Sequence, residues 1–166
     1  MRIYTIGTSD RKDYEFTKLL NKYNIQVIFD VRRFAVSRFP QFSRDNLQKL
    51  CASQKAEYIF LGNELGSYRE GGYRDYVVSE EFKHGVSIIR SVAEKRVACI
   101  LCAERFPVNC HRRFIADELA KTGFEVIHII DENIIQRPED IREKREERPR
   151  RFKPNFPRRE RRGRPR

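Results

Sequence analysis

The sequence predicts an α/β protein: a three-layer, mostly parallel five-stranded sheet with helices on both faces, followed by a basic C-terminal tail. Three observations carry the prediction. Apolar runs of five to seven residues recur along the chain, bounded by charge or glycine, as suits strands buried on both faces. Between them lie segments with apolar residues at three- and four-residue steps, the period of an amphipathic helix. Their regular alternation calls for a parallel sheet, and right-handed crossovers then bring all strand carboxyl ends to one edge. That edge is where open α/β sheets bind ligands.

Residues 2–6 (RIYTI) form the first strand, ended by Gly7. Thr8, Ser9 and Asp10 offer capping oxygens for a helix that carries Phe16, Leu19, Leu20 and Tyr23 on one face. Residues 25–31 (IQVIFDV) form the second strand, and an Arg-rich loop follows Asp30: Arg32, Arg33, Ser37, Arg38, Pro40 and Gln41. Ser43, with Asp45 behind it, starts a helix to about Ser53. Glu57 to Leu61 is the third strand. The connection from Gly62 to Asp75 contains glycines 62, 66, 71 and 72 and is long for a compact domain, a length that goes with function or disorder. Ser79 caps a helix to Lys95, with Phe82, Val86, Ile89 and Val92 on one face. Val97 to Leu101 is the fourth strand and runs into Cys102. The helix Arg112 to Thr122 stops at Gly123, the usual left-handed position, and residues 124–130 (FEVIHII) form the fifth strand.

These elements make one α/β domain over residues 1–135. Pro138 starts a charged helix within residues 136–147, whose one large aliphatic residue is Ile141. Residues 148–166 hold ten Lys or Arg, four prolines and one acid, Glu160. Such a segment has too little apolar surface to offset the entropy of ordering in isolation. Its net +9 accounts for most of the chain's +11, so the body is close to balanced.

The chain's 166 residues suit one domain and a tail. No run of about 18 apolar residues is present, so no membrane span is expected. The opening MRIYTIGTS lacks the pattern of a secretory signal. Four cysteines (51, 99, 102, 110) without a signal point to free thiols in a reducing cytoplasm rather than a disulfide framework. Oligomeric state is left open.

The chemistry concentrates in VACILCAERFPVNCH, residues 97–111. Cys102 falls at a strand's carboxyl end and Cys110 at the start of the next helix, where the helix dipole, Arg112 and Arg113 favour thiolate. Both are candidate catalytic thiols; the plainer alternative is inert packing. His111 is a candidate base for a thiol or a substrate hydroxyl, or a helix-start histidine bonded to a loop carbonyl. Glu104 is a candidate general base, or a partner for Arg105 or Arg112. Structural zinc takes four ligands in closely spaced pairs. The seven-residue gap between Cys102 and Cys110, with no second pair, argues against it, so neither metal nor cofactor is expected. His128 reads as a core residue, and His84 has no motif around it.

The same edge gathers candidates for an anionic ligand: Thr8, Ser9, Asp30, Arg32, Ser37, Arg38 and Arg112, with guanidiniums suited to phosphate. Gly66 and Arg69 belong to a loop in which Tyr68, Tyr73 and Tyr76 interleave with arginine, a pattern that suits base stacking and phosphate contact, or an ordinary lid. In the tail, Arg150, Arg151, Lys153, Arg158, Arg159, Arg161 and Arg162 would release counterions on meeting nucleic acid, without sequence specificity.

The residues along this edge resemble the domain of unknown function 488 family, a group of small α/β proteins. The resemblance covers residues 3 to about 130. It rests on Thr5-Ile6-Gly7 with Ser9, on Asp30-Val31-Arg32 with Ser37-Arg38, and on Leu65-Gly66. Its most distinctive part is Cys102-Ala103-Glu104, Pro107 and Cys110-His111-Arg112. Thr8 stands where relatives often have His, Ala35 where Pro is usual, and Ser67 where a second Gly is common. The resemblance implies a fold and a site but no reaction.

Three readings of function follow. The leading one is an enzyme acting on a phosphate-bearing substrate, a nucleotide or nucleic acid, with a Cys/His/Arg site. The first alternative is a non-catalytic RNA- or DNA-binding protein, such as a ribosome-associated factor. The second is a thiol or sulfur-transfer protein.

Overall fold

The structure is a computed structural model of the chain and describes residues 1–141. Six strands form one sheet: β1 (Arg2–Gly7), β2 (Val27–Asp30), β3 (Glu57–Phe60), β4 (Ala98–Cys102), β5 (Glu125–Asp131) and β6 (Ile134–Gln136). Their order across the sheet is β3-β2-β4-β1-β5-β6, with β1 to β5 parallel and β6 antiparallel to β5. The sheet is therefore mixed and six-stranded, a correction to the five strands expected. Asp131 and Ile134 flank a two-residue turn, and a three-residue return strand is too short to show a period in sequence. β6 also runs past residue 135, across the expected domain limit.

The helices are α1 (Asp13–Lys22), α2 (Arg44–Ser53), α3 (Gly62–Leu65), α4 (Tyr73–Tyr76), α5 (Glu80–Ala93) and α6 (Arg112–Lys121). Alternate residues of each strand feed opposite faces. Ile3, Val27, Phe29, Ile100 and Val126 pack with Phe82, Val86 and Ile89 of α5 and Ile115 and Leu119 of α6. Ile6, Ile28, Leu101, Ile127 and Ile129 pack with Phe16, Leu19 and Leu20 of α1 and Leu47 of α2. These two cores are the three-layer arrangement.

Local signals account for most boundaries. The Ser79 side chain accepts from Phe82 N at 3.2 Å, and Gly123 takes φ +91° after α6. The first helix starts later than expected, at Asp13, with Lys12 N donating to Glu15 Oε2 at 2.7 Å. Thr8 and Ser9 do not cap it because their N–H groups donate to Cys102 O and Ala103 O (2.9 and 2.8 Å), prolonging the β1–β4 pairing. The glycine-rich connection is ordered by α3 and α4, and Tyr73 Oη donates to Leu65 O at 2.7 Å. A helix begins at Pro138 and buries Ile141. The rest of the expected charged helix and the whole basic tail, including Arg150, Arg151, Lys153, Arg158, Arg159, Arg161 and Arg162, lie outside the described residues. Among the described residues no helix is long and apolar enough to cross a membrane.

Topology sets the location of the site. The chain runs β1–β2–β3 through α1 and α2 on one face, then returns through α5 to β4 and through α6 to β5 on the other. The loops leaving the adjacent strands β2 and β4 therefore diverge to opposite faces, leaving a crevice between them.

Candidate active site

That crevice is an open cleft of about 510 Å³, walled by Arg32, Arg33, Phe34 and Val36 from the β2 loop and by Ser67 and Tyr68 from the glycine-rich connection. Cys102, Ala103, Glu104, Asn109, Cys110 and His111 close it from the β4 side. Cys102 ends β4, while Cys110 and His111 directly precede α6, so strand end and helix start meet here. His111 Nδ1 lies 3.8 Å from Cys102 Sγ and 4.0 Å from Cys110 Sγ, and the three atoms all fall within 4.8 Å of one another. The other ring nitrogen, Nε2, is 2.9 Å from Val31 O. A carbonyl can only accept, so Nε2 carries the proton and donates, and Nδ1 is turned toward the sulfurs. The Tyr73 ring packs on the imidazole with centroids 4.9 Å apart.

Electrostatics separate these thiols from the other two. Burial pushes the Cys51 thiol up to about 12 and drives Cys99 higher still. At Cys110 burial also opposes the thiolate, but the contacts with Cys102 and His111 and the charge of Arg112 outweigh it, holding this thiol well below its ordinary range. Cys102, hydrogen-bonded to Cys110 and buried beside its charge, is pushed well above. The two shifts run in opposite directions, so Cys110 is the thiol of the pair that its neighbours leave readier to ionise.

Arg112 is the support behind this arrangement. Fully buried, it donates from Nε to Thr5 Oγ1 (3.2 Å), from Nη2 to Arg105 O (2.7 Å) and from Nη1 to Glu104 O. No carboxylate pairs with it among the described residues, so its positive charge is left to act on the thiols. Gly7 permits the close approach of the strand that carries Thr5: a Cβ there would lie 2.8 Å from Arg105 Cα and nearer still to the Glu104 carbonyl.

Residues 12–119 match the model of the family Domain of unknown function DUF488. The chain belongs to this family. No curated protein and no solved structure matches the chain. The DUF488 segment includes both sulfurs, His111 and Arg112, together with the β2 loop and the glycine-rich connection. It starts after Thr5, Gly7, Thr8 and Ser9, which reach the site by pairing with β4.

The remaining expected site residues divide sharply. Glu104 and Arg32 line the cleft with the cluster. Arg32, however, is engaged inside the protein: Nε and Nη2 bind the buried Asp30 carboxylate (2.9 and 2.6 Å), Nη1 donates to Phe42 O (2.7 Å), and Tyr58 Oη also donates to Asp30 (2.7 Å). Ser37 Oγ accepts from Phe39 N, and Arg38 lies over the Phe39 ring, outside the cleft wall. Thr8 is buried behind the β4 loop, and Ser9 takes φ +47° with its hydroxyl on Asp10. Gly66 lets its loop pass the β2 loop, since a Cβ there would meet Arg33 Cα at 2.6 Å. Arg69 stacks on Tyr76 at 3.9 Å and donates to Gly66 O.

Sequence reasoning missed three contributors. The Val31 carbonyl orients His111, and a backbone group has no sequence signal. Arg33, the neighbour of Arg32, faces the cleft and bonds through Nη1 to Asn63 O at 3.2 Å. Phe34 and Val36, exposed by 64% and 77%, form an apolar rim together with Tyr68, which the sequence already places in a ligand-contacting loop. Exposed residues of this size in the Arg-rich loop were the available signal.

Proposed function

We propose that the chain is an enzyme acting on a phosphate-bearing substrate, a nucleotide or nucleic acid, with Cys102, Cys110 and His111 as its reactive centre. The observation that carries this reading is the convergence of two thiols and an imidazole in a switch-point cleft, backed by a buried guanidinium that no carboxylate among the described residues neutralises. A packing role calls for neither the cation nor the opening. In this reading Glu104 moves the proton, Arg33 contacts the phosphate, and Tyr68 and Phe34 offer faces on which a base can stack. The basic tail, residues 148–166, prolongs contact with nucleic acid through counterion release. A purely binding role for the cleft would leave the thiols without a task.

Titration of the purified chain with nucleoside monophosphates and with inorganic phosphate, followed by calorimetry, tests the reading. Nucleotides are expected to bind more tightly than phosphate alone. Arg33→Ala should weaken them roughly tenfold or more, the scale of one charge-assisted contact. Deleting residues 148–166 should leave mononucleotide affinity unchanged while flattening the salt dependence of RNA binding. Equal affinity in the Arg33→Ala variant, or no binding by any nucleotide, contradicts the assignment.

A further inference from the structure

We propose that Cys102 Sγ, Cys110 Sγ and His111 Nδ1 together hold a zinc-like divalent cation, with a fourth coordination position open to the cleft. The inference rests on reading that cleft as the reaction centre and says what charges it.

Three observations point to a metal. First, both sulfur–nitrogen separations fit. With Zn–S of about 2.3 Å and Zn–N of about 2.0 Å, tetrahedral coordination places sulfur and nitrogen about 3.6 Å apart. The two S···N separations are 3.8 and 4.0 Å, long for thiol–imidazole hydrogen bonds but close to what a shared ion needs. Secondly, His111 is set up as metal-bound histidines usually are. Its Nε2–H donates to the Val31 carbonyl at 2.9 Å, which fixes the tautomer and turns the Nδ1 lone pair inward. Thirdly, the donor set is soft and one ligand short. Two thiolates and an imidazole select zinc over magnesium or calcium. Three protein ligands beside an open cleft are the mark of a catalytic rather than a structural site.

The spacing objection to zinc, seven residues between the cysteines and no second pair, applies to a four-ligand structural site. It does not reach a three-ligand one, whose members here come from a strand end and a helix start. One histidine and two cysteines, with a glutamate outside the coordination sphere, are also the donors that zinc-dependent nucleobase deaminases use to activate water. Glu104 lines the same cleft two residues beyond Cys102 and is the carboxylate on that wall for such a role.

Cobalt(II) is the probe, because it occupies zinc sites and reports thiolate ligation optically. The full chain, stripped with a chelator, is expected to take up one Co²⁺ with a thiolate-to-cobalt charge-transfer band and the intense visible bands of tetrahedral geometry, all displaced by added Zn²⁺. Cys110→Ser exchanges a single atom and keeps the fold. It should weaken uptake by more than the roughly 10- to 100-fold that loss of an outer-shell partner costs. His111→Ala should do the same, while Cys51→Ser and Cys99→Ser should leave the spectrum unchanged. Absence of the band in the intact chain, or an undiminished band in Cys110→Ser and His111→Ala, overturns the metal site. If nucleotides still bind the cleft in that case, the metal inference fails alone; if they do not, the enzyme reading fails with it.

Discussion

At the scale of single residues, the strongest constraint around the site is a buried polar relay. Arg112 Nε donates to Thr5 Oγ1, which is hydrogen-bonded to His128 Nδ1 at 2.7 Å. His128 Nε2 has no hydrogen-bond partner among the described residues. Burial and, behind it, the charge of Arg112 pull the imidazole down to about 3, while Cys110 and Asp140 oppose them weakly. The sign of the consequence is fixed. Between about pH 6.5 and 3 the unfolded chain binds a proton at this histidine that the folded chain refuses, so stability falls as pH falls. From pH 7.5 to 5 that loss amounts to about 2 kcal/mol. Urea unfolding at the two pH values checks it: His128→Asn, which keeps an acceptor for Thr5 but does not titrate, should lose about 2 kcal/mol less than the parent. Arg32 and Arg112 show why residue type alone misleads. Both read as anion contacts, yet Phe42 O, Glu104 O and Arg105 O take their donors, and carbonyls leave no trace in a sequence.

At the scale of elements, the site depends on how closely β1 and the loop after β4 approach. Gly7 and Cys102 are register partners, and Thr8 and Ser9 continue the pairing into the loop. Gly7→Ala would push its Cβ against Glu104 and Arg105, the stretch that Arg112 fastens. Forcing an atom into a packed position costs about 1–3 kcal/mol. The urea midpoint should fall by that amount with an unchanged slope. Cobalt uptake should weaken in the same variant, because the β4 loop must move. An unshifted midpoint would mean that β1 and the loop after β4 have room for the added methyl group. Strands β1 to β5 were legible because each is an apolar run, and the meeting of Cys102 with Cys110 followed from placing one at a strand end and the other at a helix start. β6 was not legible, since its pairing comes from a turn rather than from a pattern. Nor was the order within the glycine-rich connection, where Tyr73 ties α4 back to Leu65.

At the scale of the whole molecule, the doubly wound sheet explains why chemistry gathers on one side. Membership of the DUF488 family covers that side apart from β1, and the loops that diverge after β2 and β4 line the cleft between them. Cys51 and Cys99 sit in the core beneath α1 and α2, whereas Cys102 and Cys110 reach the cleft from the opposite core. The four cysteines therefore divide into two in the core and two at the cleft, a contrast that provides its own internal control. The most direct measurement is a time course of iodoacetamide labelling on the intact, folded, chelator-treated chain, read site by site by peptide mass spectrometry. Cys110 should be alkylated first, and Cys51 and Cys99 should stay unmodified until the protein is unfolded. Labelling of Cys110 no faster than of Cys51 and Cys99 would contradict a reactive centre in this cleft.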